Sequence, residues 1–281
     1  MRTLIAAATM LVVASALAVG PKIRRDLAYT EPADASRRLD VYAPAEGQDH
    51  PVLVWLHGGG WRQGDKSGVQ NKPQAFVDKG FVFVSVNYRF VTQVTVKEMT
   101  GDIAKAIRWV HDHAKQYGGA TDKIFVAGHS AGAHLAALVC TDGSYLKAEG
   151  MDLSAIRGCI PVDTAVYDIP GQLKSVGPLR ASTYTSAFGQ NKADQKQLSP
   201  ITHVAKDKGI PPFLILHVAD RPDSTAQSQA FAKALAGAGV QAKLVPGEGK
   251  NHGTINRDLG LPDDAPTKAV FEFLDGLLKG R

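Results

Sequence analysis

Residues 126–138 read VAGHSAGAHLAAL, with Ser130 between Gly128 and Gly132, an apolar run before it and a helix-like run after it. The bare Gly-x-Ser-x-Gly string decides nothing, because with 28 glycines in 281 residues it arises by chance in roughly one such chain in eight. Its setting is more informative. Residues 124–128, IFVAG, have the character of a buried strand, and 131–140, AGAHLAALVC, that of a helix with small residues at its start. Ser130 is therefore expected at a sharp strand-to-helix turn that lifts its side chain out at the carboxyl edge of a sheet. Glycine at 128 and 132 removes side chains that would collide there.

Working outward, the same alternation recurs. Apolar strand patterns occupy 37–44, 51–58, 81–88, 157–163, 212–218 and 241–246. Helical patterns cover 73–80, the segment up to Tyr117 (with Ile103, Ala106, Ile107, Val110 and Ala114 on one face), 225–239 and the C-terminal stretch around Val270, Phe273, Leu274, Leu277 and Leu278. Strands separated by helices predict an α/β fold, with a mostly parallel central sheet covered on both faces. The residues before 37 read as polar and irregular. About 164–198 is polar, without strong periodicity and too long for a plain connection, so it is read as a small insertion over the site.

Composition bounds the rest. A chain of 281 residues, 44% apolar, suffices for one large core. The start, MRTLIAAATMLVVASALAVG, carries Arg2, an apolar run from Leu4 and the small-x-small ending Ala16-Leu17-Ala18. This predicts a signal peptide over 1–18, a single domain over 19–281, and a secreted or periplasmic protein free of the membrane once the signal is cleaved. The net charge of +5 includes Lys22, Arg24 and Arg25, but elsewhere both signs are interspersed, which argues against a nucleic-acid partner. Cys140 and Cys159 are the two cysteines; whether they pair is left open, as is the oligomeric state. His111 and His113, two apart on a helix, share no face, so no metal site follows from them.

A serine hydroxyl needs a base and an anion-stabilising pocket. The stretch 57-HGGGW-61, directly after a buried strand, suits the pocket, since glycines let backbone N–H groups approach an oxyanion. The base is expected later in the chain, and His252 in 249-GKNHGTIN-256 lies between the last strand and the last helix. For the acid, 217-HVADRPDSTAQS-228 offers Asp220 and Asp223; Asp220 comes first after the strand and is preferred.

Together, HGGGW, 86-VNYR-89, 107-IRWVHDHAKQYGG-119, GHSAGAHLA and 198-LSPITHV-204 resemble the α/β-hydrolase fold carboxylesterases of the hormone-sensitive-lipase-like group. The resemblance is strongest to the branch with acetylxylan and feruloyl esterases and kynurenine formamidase, and runs from about Leu39 to the C-terminus. It implies Ser130, Asp220 and His252 as a triad, with oxyanion N–H groups from Gly59, Gly60 and Ala131. It implies no cofactor and no metal. The expected activity is hydrolysis of small or carbohydrate-linked acyl esters; an arylformamidase-like amide hydrolase and a non-catalytic binding domain on the same fold are the alternatives. In these families the Gln227-Ser228 pair usually begins the helix after the acid, which favours Asp220. One departure is that Arg221-Pro222-Asp223 stands where a Val-Pro pair commonly follows the acid.

Overall fold

The computed structural model describes residues 20–280; the expected signal peptide lies outside them. Eight strands form one sheet: β1 (Lys22–Ala28), β2 (Arg38–Ala43), β3 (His50–Leu56), β4 (Val82–Val86), β5 (Gly119–His129), β6 (Ile156–Val162), β7 (Phe213–Val218) and β8 (Ala242–Gly247). Their order in space is β1-β2-β4-β3-β5-β6-β7-β8. From β4 through β8 every pairing is parallel, and β1 and β2 close one edge antiparallel. The mostly parallel α/β sheet expected from the sequence is thus borne out.

Among the described residues ten α-helices connect and cover it. In chain order these are α1 (Lys72–Asp78), α2 (Val96–His113), α3 (Ala131–Thr141), α4 (Ser144–Ala148), α5 (Ile169–Ser175), α6 (Pro178–Phe188), α7 (Lys192–Gln197), α8 (Pro222–Gly237), α9 (Thr254–Arg257) and α10 (Ala265–Lys279). Helix α2 starts on a capping box, Thr95 accepting from Glu98 N while Glu98 accepts from Thr95 N. That satisfies two otherwise orphaned donors.

The central strands alternate their side chains between two cores. Val52, Val54 and Leu56 join the apolar layer under α2, α3 and α8, while Leu53 and Trp55 join the layer under α1 and α10. Burial on both faces explains why these strands read as continuous apolar runs. All eleven residues of α3 are buried. Its alanines and its one glycine, Gly132, fit because little side-chain volume is left between the sheet and its neighbours.

Two segments differ from the sequence reading. The start is not irregular: β1, KIRRDLA, pairs antiparallel with β2, its register broken between Arg24 and Leu27, where Asp26 takes φ +59°. An edge strand with an exposed outer face carries no apolar run, so its pattern was silent. The segment 164–198, without visible periodicity, contains α5, α6 and α7. Of the eleven residues of α6 only Phe188 is buried, too few anchors to show a period.

Register places the site. Leu56 lies opposite Gly128, and His129 opposite Val162. The carboxyl ends of β3, β5, β6, β7 and β8 therefore converge on one edge, where the chain turns at 57–61, Ser130, Asp163, 219–221 and 248–253.

Candidate active site

At the end of β5 the chain reverses within one residue. Ser130 takes φ 57° and ψ −117°, a conformation that non-glycine residues rarely adopt and that costs about 1–3 kcal/mol when imposed. The glycines on either side make it feasible. A Cβ on Gly132 would lie 2.2 Å from Leu56 O, and one on Gly128 would lie 2.5 Å from Gly132 O. Strand β3 thus passes so close to the turn that neither position tolerates a side chain. The Ser130 N–H donates to Val162 O at 2.9 Å, tying the turn to β6.

The Ser130 hydroxyl lies 2.9 Å from His252 Nε2, and His252 Nδ1 lies 2.6 Å from Asp163 Oδ2. With Nδ1–H donating to the carboxylate, Nε2 is left as an acceptor for the serine proton; Arg221 Nη1 also lies 2.7 Å from Nδ1. Ser130 and His252 are thus brought together, but the carboxylate on His252 is Asp163, not the expected Asp220. The reason is the turn after β7. Arg221 N donates to Val218 O at 3.3 Å, a tight reversal that leaves Asp220 exposed and sends the Arg221 side chain inward. Asp223, the alternative, is held by Arg180 Nη1 at 2.9 Å and Gln172 Nε2 at 3.3 Å, away from His252.

Asp163 is fully buried and needs partners for its charge. Its Oδ1 accepts from Ser224 Oγ at 2.6 Å and Val218 N at 3.0 Å; its Oδ2 accepts from His252 and from Arg221 Nη1. Burial works against this carboxylate, but the His252 and Ser224 hydrogen bonds, the Arg221 charge and the Val218 N–H outweigh it and hold the group far below the usual carboxylate range. The loop after β7 thus supplies partners of the carboxylate on His252 rather than that carboxylate. A sequence signal existed: Asp163 ends the apolar run 157-RGCIPVD-163 and preserves the order Ser, Asp, His.

The pocket beside Ser130 is built by 57–61. Gly59 and Gly60 have φ +131° and +60°. A Cβ on Gly59 would fall 1.8 Å from Gln63 O. The N–H groups of Gly59, Gly60 and Ala131 take no part in the backbone hydrogen bonds outside helices and strands of the described residues. Ala131 opens α3, where the helix N-terminus adds positive partial charge. The Tyr88 hydroxyl donates to His57 O, and its ring stacks on His57 at 4.4 Å, holding the base of this loop.

Three further buried groups brace the site. His129 Nε2–H donates to His252 O at 2.8 Å, with the two rings 4.5 Å apart. Burial, followed by the charge of His252, pushes His129 down to about 3, so it remains neutral. His134 donates from Nε2 to Leu198 O at 2.8 Å and accepts the Trp61 indole N–H at Nδ1. Burial alone pushes it down, to about 4. The fully buried Lys72 donates to Asn256 O at 2.7 Å, four residues past His252, and lies 4.8 Å over the Trp55 ring. It also donates to Gln70 Oε1 at 3.2 Å, and burial pushes it down to about 7.

The model of the BD-FAE family matches residues 39–235. The chain belongs to the BD-FAE family. Esterase LipQ of Mycobacterium tuberculosis is 31% identical over 268 residues, covering 88% of this chain and 59% of that protein. A probable isoprenylcysteine alpha-carbonyl methylesterase, ICMEL1 of Arabidopsis thaliana, is 27% identical, with 86% of this chain and 52% of that one covered. The chain thus spans about half to three-fifths of the length of these two relatives. Esterase Est2 of the Planctomycetes species Thermogutta terrifontis, solved with butyrate bound, superposes with a TM-score of 0.70 at 27% identity, covering 92% of this chain and 93% of that one. These likenesses bear out the α/β-hydrolase fold and the resemblance to its carboxylesterases.

Helices α5–α7 are joined to this edge by side chains. Phe188 packs on Trp61 with ring centroids 4.7 Å apart, and Arg62 donates to Ser186 Oγ. On the opposite side, Gln227 exchanges two hydrogen bonds with the Asp168 backbone, at 2.8 and 3.1 Å. Gln227 therefore anchors the start of α5.

Proposed function

We propose that this protein is a serine carboxylesterase acting through an acyl-enzyme on Ser130. The observation that carries the reading is the continuous path Ser130 Oγ, His252 Nε2, His252 Nδ1, Asp163 Oδ2, with separations of 2.9 and 2.6 Å. His252 takes the serine proton as Oγ attacks the ester carbonyl. Asp163 holds the imidazole tautomer and stabilises the imidazolium without accepting the proton. The developing oxyanion sits toward the N–H groups of Gly59, Gly60 and Ala131. His252 then protonates the leaving alcohol, and in the second half-reaction it activates water to free the acid and restore Ser130.

The substrates we propose are esters of small acyl groups, including carbohydrate-linked ones, met outside the cytoplasm. Supporting the short acyl group is a relative that binds butyrate; supporting export is the N-terminal pattern of Arg2, an apolar run and Ala16-Leu17-Ala18. The test pairs turnover of p-nitrophenyl acetate and acetylated xylan with labelling by a small alkyl phosphonate. Turnover lost in Ser130→Ala, with the phosphonyl group mapped to Ser130 by peptide mass spectrometry, is the expected result. Labelling elsewhere, or full turnover in the variant, overturns the proposal. Sequencing the N-terminus of protein recovered from the producing cells tests cleavage after Ala18.

A further inference from the structure

The N–H groups of the proposed oxyanion pocket come from two different elements. That of Ala131 opens α3, whereas those of Gly59 and Gly60 belong to the loop after β3. Gly60 takes φ +60°, and nothing lies within 4 Å of where a Cβ on it would stand. Glycine backbone with that freedom keeps a single shape only where its neighbours hold it. Here the neighbour is Trp61, whose indole N–H donates to His134 Nδ1 at 3.3 Å and whose O accepts from Val91 N at 2.9 Å. We infer that His134 is a positioning residue of the proposed reaction: through Trp61 it sets the separation between the Gly59–Gly60 and Ala131 N–H groups.

His134 is placed for this because it moves with the nucleophile turn. It lies on α3, and its backbone N–H donates to Ser130 O at 3.1 Å. Its side chain is fully buried, and both ring nitrogens are committed. An indole N–H can only donate and a carbonyl can only accept. The contacts to Trp61 and, at 2.8 Å, to Leu198 O therefore require a neutral ring with its proton on Nε2. Burial favours that neutral form. Phe188 closes the cluster, its ring centroid 4.7 Å from that of Trp61 and 5.1 Å from that of His134.

Packing and hydrogen bonding do different things in this cluster. Ring contacts keep Trp61 buried but allow it to turn, whereas the bond to Nδ1 is directional and fixes the indole edge relative to α3. Oxyanion donors are effective when they are in place before the charge develops. A displacement of about 1 Å in a catalytic geometry costs on the order of 10²-fold in rate. The oxyanion exists in the tetrahedral intermediate and not in the bound ester. Loss of the Trp61 bond therefore acts on kcat and leaves KM nearly where it was.

The inference rests on the triad and oxyanion reading above, and the experiment separates the two. A glutamine amide reaches the place of Nε2 and keeps a donor for Leu198 O, while an asparagine amide reaches that of Nδ1 and keeps an acceptor for Trp61. kcat and KM for p-nitrophenyl acetate, with Tm, are measured for the full chain, His134→Gln, His134→Asn, Trp61→Phe and Ser130→Ala. His134→Gln and Trp61→Phe are expected to lose at least about tenfold in kcat with KM within about twofold. His134→Asn should retain kcat to within about threefold, even where its Tm falls as far as that of His134→Gln. A merely structural role would give the two His134 variants equal losses of kcat that follow Tm, and that result overturns the inference. So does a raised KM at unchanged kcat in His134→Gln. Should His134→Gln fail to fold, an unchanged kcat in Trp61→Phe overturns it. In each of these cases an inactive Ser130→Ala leaves the triad reading standing. Activity surviving in Ser130→Ala overturns that reading and this inference with it.

Discussion

Asp163 and His252 meet across 89 residues of chain, Oδ2 to Nδ1 at 2.6 Å, with Asp163 fully buried and His252 partly open to solvent. Removing the negative charge while keeping the shape frees the imidazole to adopt the other tautomer, in which Nε2 carries the proton and no longer accepts from Ser130. Asp163→Asn is therefore expected to lower kcat by about 10³- to 10⁴-fold with KM little changed. Asp220→Asn, at an exposed position, should remain within about twofold of the parent. Steady-state kinetics on a p-nitrophenyl ester decide it, and a larger loss in Asp220→Asn would move the acid to the turn after β7.

What could be read beforehand follows from which groups announce themselves locally. Strands β3, β5 and β7 are buried on both faces and write long apolar runs, and the turn at Ser130 is marked by glycines that backbone atoms of β3 would otherwise strike. His252 was legible from its place between the last strand and last helix. The carboxylate was not, since one aspartate at a strand end looks like another, and the choice lies in side-chain direction. At 219–221 a tight turn points Asp220 out and Arg221 in, and a residue later Pro222 starts α8. The helices of 164–198 stayed hidden for a related reason: they are anchored by few contacts, such as Phe188 on Trp61, rather than by an apolar stripe.

Gly132 tests the turn itself. Its missing side chain leaves room for Leu56 O and His57 O, at 2.2 and 2.5 Å from where a Cβ would stand, and both are backbone atoms that cannot rotate away. Gly132→Ala is expected to cost about 3 kcal/mol and to abolish turnover even where protein remains folded. Gly101→Ala is the control, because nothing lies within 4 Å of its added carbon and the middle of α2 favours alanine over glycine. Urea melts of the two variants should move in opposite directions.

Lys72 gives a pH dependence of stability. Its folded value is pushed down to about 7 by burial, whereas in the unfolded chain it lies near the ordinary value of about 10.4. Between those values the unfolded state binds the extra proton, so this residue makes stability rise with pH from about 7 to about 10. Below 7 both states are charged and the full burial cost is present. Lys72→Met should therefore stabilise the fold at pH 6 by roughly 2 kcal/mol, once the lost bonds to Asn256 O and Gln70 Oε1 are set against the relieved charge. The gain should shrink, and then reverse, as pH approaches 10. Chemical denaturation at pH 6, 8 and 9.5 follows the trend, and an advantage that grows with pH would contradict it.

Acyl-chain preference depends on where apolar room lies relative to Ser130. The cavity between the 91–97 segment and α6–α7, of about 470 Å³, is lined by Val91, Val94, Val96, Phe188 and Leu198 among others, but by none of Ser130, His252 or residues 57–61. Trp61 itself is packed against Phe188 and His134, so the segment after β6 spends its aromatic surface on the 57–61 loop. Leu179 is 86% exposed rather than turned inward. Each methylene of an acyl tail contributes about 0.8 kcal/mol only where it is fully buried, and past the end of a short pocket an added carbon meets side chains or stays in water. kcat/KM is therefore expected to peak between acetyl and butyryl p-nitrophenyl esters and to fall at least about tenfold at decanoyl, equivalent to roughly 1.4 kcal/mol of transition-state stabilisation. The series is run below micelle-forming concentrations. A maximum at decanoyl would mean that the cavity beside α6 opens onto the nucleophile when substrate binds, and Phe188→Trp, which narrows that cavity, would then cost long esters more than short ones.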